Sequence, residues 1–266
     1  MKQNKQKPIL DIAILTAGRV DLFEKCVDAI LPQLKDDYRV QVHNNGHPSK
    51  EYEEIYKKLP KGSTIIRSNK MEGFSVGANK VIKAGNSPLI LFVTDDIFIH
   101  EGAIEILLKR MEDKSIGQCG YKFTFPIDSE DKARPAGKVQ HVGMASNIRG
   151  DMVHPLIGWS ANNSKCCISQ EVLAVTGASF IIRRDTFNRV NGFDPIYGRG
   201  YYEDMDLSFK VRASGQRVFI DAEARATHGV GQTFKNLEEQ IPIQQNQMIF
   251  RTRWLQSIPW SEWEMW

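Results

Sequence analysis

Paired cysteines are missing from this sequence. Its four, Cys26, Cys119, Cys166 and Cys167, are scattered without the spacing of a zinc site, and the adjacent pair cannot easily bridge to itself. A reducing, cytoplasmic setting is expected. Long apolar runs are missing too: none approaches the roughly 20 residues that span a bilayer, so no membrane span is expected. The run after the polar, lysine-rich Met1 to Pro8 is interrupted by Asp11 and ends by Thr16, too soon for a signal sequence. No block of one charge occurs, and a net +3 over 266 residues gives little support to binding nucleic acid through phosphate neutralisation. No G-x-G-x-x-G follows the first strand, which argues against a dinucleotide-binding oxidoreductase. With 41% hydrophobic and 25% charged residues, the chain has an ordinary globular composition, and disorder is expected only at its ends.

What is present is an alternation. Ile9 to Leu15 (ILDIAIL) reads as a buried strand ending at Thr16-Ala17-Gly18, and Leu22, Cys26, Ala29, Ile30 and Gln33 follow at helical spacing. Tyr38 to His43 and Thr64 to Arg67 read as further strands. Glu51 to Leu59 and Val76 to Ala84 read as helices. Pro88 to Val93 (PLILFV) is a continuous apolar run, as expected of a parallel strand covered on both faces, and it ends on Thr94-Asp95-Asp96. Strands alternating with helices imply a parallel sheet with ligands beyond its carboxyl ends, where the loops 16–19, 44–47 and 94–96 gather. After residue 115 the pattern changes to strand-like pieces, Gly117 to Phe125, Lys138 to Ala145 and Val172 to Ile182, with a long loop around 146–170. No linker or repeat divides the chain, so one domain is expected. A loop of that length is more often functional than idle.

Three clusters carry chemistry. Asp95 and Asp96 at a strand end make a hard oxygen site for magnesium or manganese; the competing reading is that one of them caps a helix beginning near Glu101. Glu203, Asp204 and Asp206 follow the glycine-rich, aromatic segment Gly198 to Tyr202, at the start of a helix running to Ala213. Acids there suit the helix dipole, but the setting also suits a base that must meet a hydroxyl, and the helix phase keeps the three from sharing one job. His228, before Gly229-Val230-Gly231, is either a structural histidine or a metal ligand, if the chain returns to Asp96.

In this order the clusters resemble the inverting family 2 glycosyltransferases of GT-A fold, in particular the soluble rhamnosyltransferase-like branch. The matching segments are Ile14 to Arg19 (ILTAGR), Asn44 to Gly46 (NNG), Gly73 to Asn79 (GFSVGAN), Leu91 to Asp96 (LFVTDD), Thr176 to Ala178 (TGA), and Val190 to Asp194 (VNGFD) through Glu203 to Leu207 (EDMDL) to His228. The last stretch also looks like the carboxy-terminal region of galactosyltransferases. Asn44 stands where the family usually has Asp, and Met71 stands two positions before Gly73, where the family has Asn, with Asn69 displaced.

The resemblance implies an α/β, GT-A fold with a mainly parallel central sheet flanked by helices and a small antiparallel acceptor-side sheet. It implies one catalytic domain over 1–266, with a nucleotide-binding half at 8–115, an acceptor-side half at 116–232 and a helical tail at 233–266. Thr16, Ala17, Arg19 and Asn44 would hold the base and ribose, and Asn79 and Asp95 would orient the nucleotide. Asp96 and His228 would bind Mn2+ or Mg2+, and Gly177 and Ala178 would line the pocket. Asp204 would be the general base, with Glu203 second in line. The implied donor is a UDP- or dTDP-linked sugar. The implied acceptor is a bacterial-type glycan; a hydroxylated DNA base or a protein hydroxyl would be served by the same chemistry.

Two other classes remain in contention. A non-catalytic sugar-binding module would keep the fold without needing the acids, and a nucleotidyltransferase or phosphotransferase would use the paired acids without the late acidic helix and His228. Arg149, His154, Trp159 and Lys165 in the long loop, and Arg251, Arg253, Trp254, Trp260, Trp263 and Trp266 in the tail, mix cations with aromatics that stack on sugars and bases alike. The simpler expectation for the tail is a helix packed on the core.

Overall fold

The computed structural model describes residues 8–147, 149–229 and 242–258. Its first part follows the alternation: β1 (Leu10–Thr16), α1 (Val20–Ile30), β2 (Tyr38–Asn45), α2 (Lys50–Tyr56), β3 (Thr64–Ser68), α3 (Phe74–Lys83) and β4 (Leu89–Thr94). Every residue of β1 is buried. Cover on both faces is why this strand reads as an aliphatic run and not as an alternating one. Helix α1 buries Leu22, Phe23, Cys26, Val27 and Ile30, a stripe at three- and four-residue spacing, and then tightens into one 3-10 turn carrying Pro32, which has no N–H to give an α-helix.

The second part contains β5 (Ile97–Ile99), α4 (Ala103–Arg110), β6 (Ile116–Thr124), β7 (Val139–His141), β8 (Ala145–Ser146), β9 (Met152–Val153), β10 (Gln170–Glu171), β11 (Ser179–Arg183), α5 (Arg184–Arg189), α6 (Glu203–Ala213), β12 (Arg217–His228) and α7 (Ile243–Trp254). The large sheet runs β10-β12-β6-β11-β4-β1-β2-β3, with β5 on β12 and β7 on β6. Strands β4, β1, β2 and β3 are parallel, as are β6 and β12, while β11 is antiparallel to both β4 and β6. β8 and β9 form a separate antiparallel pair. This is the mainly parallel α/β architecture that the sequence leads one to expect. Because β1 has β2 on one side and β4 on the other, chain order reverses there, and a crevice opens beyond their carboxyl ends.

Three elements differ from the sequence expectation. A three-residue strand, β5, intervenes between Asp96 and the next helix, and α4 starts only at Ala103 behind Gly102. Neither Asp95 nor Asp96 is therefore a helix cap. The strand expected over Lys138 to Ala145 breaks into β7 and β8. The strand expected over Val172 to Ile182 begins only at Ser179, because the N–H groups of Thr176 and Gly177 bond to side chains, His141 and Asp204, instead of joining a ladder.

At the opposite, amino end of the central strands, Asp11 on β1 is 1% exposed and fully bonded. Its Oδ1 accepts from the Ser87 hydroxyl at 2.7 Å and from Gln41 at 3.2 Å. Its Oδ2 accepts from the Ser87 N–H at 2.8 Å and from Arg184 at 2.6 Å. This locks α5 to the first half of the domain.

The tail helix packs as the simpler expectation has it. Phe250 lies against Phe209 and Tyr202, while Trp254 donates to Asp206 at 2.8 Å and Arg253 to Asp194 at 2.8 Å. Asn246, 1% exposed, donates to the carbonyls of Tyr197, Gly200 and Tyr201. Trp260, Trp263, Trp266, Val230 and Gly231 lie outside the described residues. Among those residues, no helix is long and apolar enough to cross a membrane.

Candidate active site

The crevice is a cleft of about 330 Å3, within the range usual for small-molecule sites. Ala17, Asp95 and Asp96 border it from the carboxyl ends of β1 and β4, Gly177 and Ala178 from the segment before β11, and Glu203, Asp204 and His228 from α6 and β12. Residues far apart in sequence meet here because β5 pairs with the end of β12, setting His228 opposite Ile97. The pairing is completed by the Gly229 N–H, which donates to the Asp96 carbonyl at 2.8 Å.

Asp95 and Asp96 are both buried but differently held. Oδ2 of Asp95 accepts from the Thr16 hydroxyl at 2.7 Å and from the Ala17 N–H at 3.0 Å. Burial, reinforced by the Asp96 charge, pushes the Asp95 carboxyl up to about 7. For Asp96 burial resists the charge, but the adjacent His228 and the Thr94 hydroxyl, at 2.6 Å, outweigh it and hold the group below the ordinary carboxylate range.

The Nε2 of His228 lies 3.3 Å from Asp96 Oδ2, and its Nδ1 lies 3.2 Å from the carbonyl oxygen of the Gln140 side chain. That oxygen accepts, so Nδ1 carries a proton, and Nε2 is the ring atom that faces Asp96.

These residues fit a divalent cation. Two adjacent buried carboxylates that repel each other, with an imidazole nitrogen 3.3 Å from one of them, form a set of groups able to take a metal cation, whose positive charge relieves the repulsion. Among the described residues no group of three or more His, Cys, Asp or Glu side chains surrounds such a position. Among the described residues, Asp96 and His228 are the two side chains placed to be ligands, which suits Mg2+ or Mn2+, ions that commonly keep waters and substrate phosphates as their other ligands.

The late acids separate into distinct jobs. Asp206 is turned from the cleft and accepts from Trp254, from Arg253 at 3.2 Å and from the Tyr197 hydroxyl at 3.2 Å, a structural role. Asp204 borders the cleft, its Oδ2 accepting from the Gly177 N–H at 2.8 Å and its Oδ1 from the Met205 N–H at 2.8 Å. Burial raises its pKa against the pull of those N–H groups. A Cβ at Gly177 would sit 3.0 Å from the Asp204 Cβ, so the glycine lets backbone and carboxylate meet. Glu203 is 6% exposed, with Oε2 lacking a partner among the described residues. Burial, then the neighbouring Asp204, pushes it well above the ordinary range.

Other residues singled out in the sequence surround the cleft without bordering it. Asn44 donates to the His47 carbonyl and the Tyr56 hydroxyl and accepts from the His47 N–H, so its amide shapes its own turn. Asn79 bonds both ways with the backbone of Phe193, at 2.7 and 3.0 Å, clamping the Gly192-Phe193 segment. Thr16 is fully buried between Asp95 and the Tyr52 hydroxyl, and Arg19 pairs with Asp21. Sequence reasoning missed Gln140 and His141, which no local pattern marks; the aromatic segment it did single out ends in the strained Tyr201 and Tyr202, whose φ angles of 70° and 75° lie in the left-handed region at the entry to α6.

Comparison with known proteins accords with this geometry. The family model described as "Glycosyl transferase family 2" matches residues 11–188. The O-antigen biosynthesis protein RfbC of Myxococcus xanthus is 23% identical over 231 residues, 83% of this chain. Two solved structures share the fold. GalNAc-T7 with UDP, GalNAc and Mn2+ has a TM-score of 0.71 at 12% identity over 94% of this chain, and the mannosyltransferase PcManGT from Pyrobaculum calidifontis, with GDP-Man and Mn2+, has 0.60 at 13% over 85%. The chain spans 17% of the length of the Myxococcus protein, and 49% and 58% of the two solved chains.

Proposed function

The chain belongs to glycosyl transferase family 2, and from that premise we propose that this one catalytic domain moves a sugar from a nucleotide-diphosphate sugar to a hydroxyl, with inversion and with Mn2+ or Mg2+ held by Asp96 and His228. The observation that carries the reading is that one cleft holds both the Asp96–His228 pair and the doubly oriented Asp204 carboxylate. A divalent ion bound there supplies positive charge against the diphosphate that leaves.

The protein's own residues do the rest. Ala17 and Asp95 border the nucleotide end, within loops shaped by Thr16, Arg19, Asn44 and Asn79. Gly177 and Ala178 line the sugar end. Asp204, aimed by two N–H groups, takes the proton of the attacking hydroxyl when in its carboxylate form. Glu203, buried beside it with its pKa raised, is the second candidate for the base. The proposed donor is UDP- or dTDP-linked. The proposed acceptor is a bacterial-type glycan, a reading supported by the likeness to an O-antigen biosynthesis protein of Myxococcus xanthus.

The test is a thermal-shift series with UDP, dTDP, GDP and their sugars, with and without manganese, followed by hydrolysis of whichever sugar binds. A ligand that binds the folded state raises the midpoint. We expect a rise with a nucleotide sugar plus metal and loss of hydrolysis with a chelator. Hydrolysis undiminished by the chelator would remove Asp96 and His228 from a metal role.

A further inference from the structure

The cleft is also bordered by His154, which the chemistry above does not use. His141 on β7 is fully buried, and His154, just after β9, lines the cleft wall. Their Nδ1 atoms are 3.0 Å apart, and His141 Nε2 accepts the backbone N–H of Thr176 at 3.4 Å. An amide N–H only donates, so His141 Nε2 holds a lone pair and the single proton of that ring sits on Nδ1. It is donated to His154 Nδ1, which leaves the His154 proton on Nε2. A second proton on His154 would set two donors against each other across 3.0 Å. Burial acts in the same direction, pushing His154 down to about 4 and His141 well below the ordinary imidazole value. Both rings are therefore neutral near pH 7, with their tautomers fixed by one backbone amide.

The chain of bonds also locates the free N–H chemically. Thr176 N–H holds the histidine pair and the next one, Gly177 N–H, holds Asp204, so pair and base are tied to consecutive peptides. The Nε2 of His154 has no hydrogen-bond partner among the described residues. An uncharged donor suits an uncharged oxygen; a phosphate would be better met by a cation.

We propose that His154 donates its Nε2–H to a hydroxyl oxygen of a sugar in the cleft, and so determines which sugar is accepted. This rests on the nucleotide-sugar reading above. The hydroxyl belongs either to the transferred sugar or to a carbohydrate acceptor, and the two are separable.

The experiment uses the full chain labelled with 15N-histidine, with magnesium as the diamagnetic metal. Long-range 1H–15N spectra at pH 7 are expected to show His141 protonated on Nδ1 and His154 on Nε2; reversed tautomers, or a cationic His154, overturn the proposal. UDP, GDP and dTDP are then compared with UDP-glucose, GDP-mannose and dTDP-glucose. A His154 Nε2 shift that needs the sugar, not the diphosphate alone, supports a donor hydroxyl. A shift appearing only when methyl glycosides are added to the nucleotide complex supports an acceptor hydroxyl. No shift in either arm, while the nucleotides still raise the thermal midpoint, overturns the His154 role and leaves the nucleotide-sugar reading standing. If no nucleotide raises the midpoint, that reading fails and the His154 role fails with it. His154→Phe should weaken, by about tenfold, binding of whichever ligand the spectra assign, the nucleotide sugar relative to its diphosphate or the methyl glycoside in the nucleotide complex, the effect of one hydrogen bond. His154→Gln, which keeps an N–H donor, should restore most of it.

Discussion

The two ends of the central strands both bury acids, and they treat them in opposite ways. At the amino end Asp11 has four donors, one of them the Arg184 guanidinium, and every oxygen is bonded. At the carboxyl end Asp95 and Asp96 sit side by side, one pushed up to about 7, and on the facing helix Glu203 keeps an oxygen with no partner among the described residues. A saturated carboxylate joins parts of a fold. Carboxylates left short of donors cost stability and wait for something that arrives.

The comparison breaks most decisively at Asp204. Asp204→Asn should lower transfer by about 10² to 10⁴ with an unchanged thermal midpoint; near-normal turnover in a steady-state assay would move the base elsewhere. As the proposed base, the same group should set an acid limb. A base works only when ionised, and the Asp204 pKa is raised, so kcat/KM should fall as pH drops through a value above the ordinary aspartate range. An acid limb absent down to that ordinary range would show that another group is titrating.

Asp11→Ala should act at the other end and on the other quantity. It leaves Arg184, 14% exposed, without its partner, and removing one member of a buried pair costs about 3–5 kcal/mol. Urea unfolding measures this, and a loss below about 1 kcal/mol would mean that the pair contributes no more than a surface one. Asp96→Asn should move stability least. It removes a charge that Asp95 opposes, so the urea midpoint should stay or rise slightly, while the extra thermal shift that manganese gives a bound nucleotide disappears. Destabilisation comparable to Asp11→Ala would show Asp96 to be structural.

Much of this contrast is legible in the sequence. Strand ends announce themselves where an aliphatic run meets polar residues, so Asp95-Asp96 falls at the mouth of the sheet from pattern alone, and acids before a helix run mark Glu203-Asp204. Their meeting with His228 is another matter, since it depends on β5, three residues too short to carry a period. The segment Val172 to Ala178 has the composition of a strand, yet three of its N–H groups, those of Val175, Thr176 and Gly177, go to side chains from distant positions, and no local pattern records that. Asn44 and Asn79 show the same limit: residue type gives an amide's capacity to bond, and only the packed chain decides whether that capacity is already used. His141 and His154, thirteen residues apart on either side of a turn, become a pair only in three dimensions.

The anchoring of the Tyr197 to Tyr201 segment by Asn246 has a consequence for engineering. Three carbonyls of the loop leading into α6 are tied to one amide on α7, and the two tyrosines that end the loop hold a backbone shape unfavourable on its own. A loop swap meant to change acceptor choice would cut those ties and let the tyrosines relax. The transplantable cassette is therefore discontinuous: the stretch from Asp194 to Ala213 has to travel together with α7.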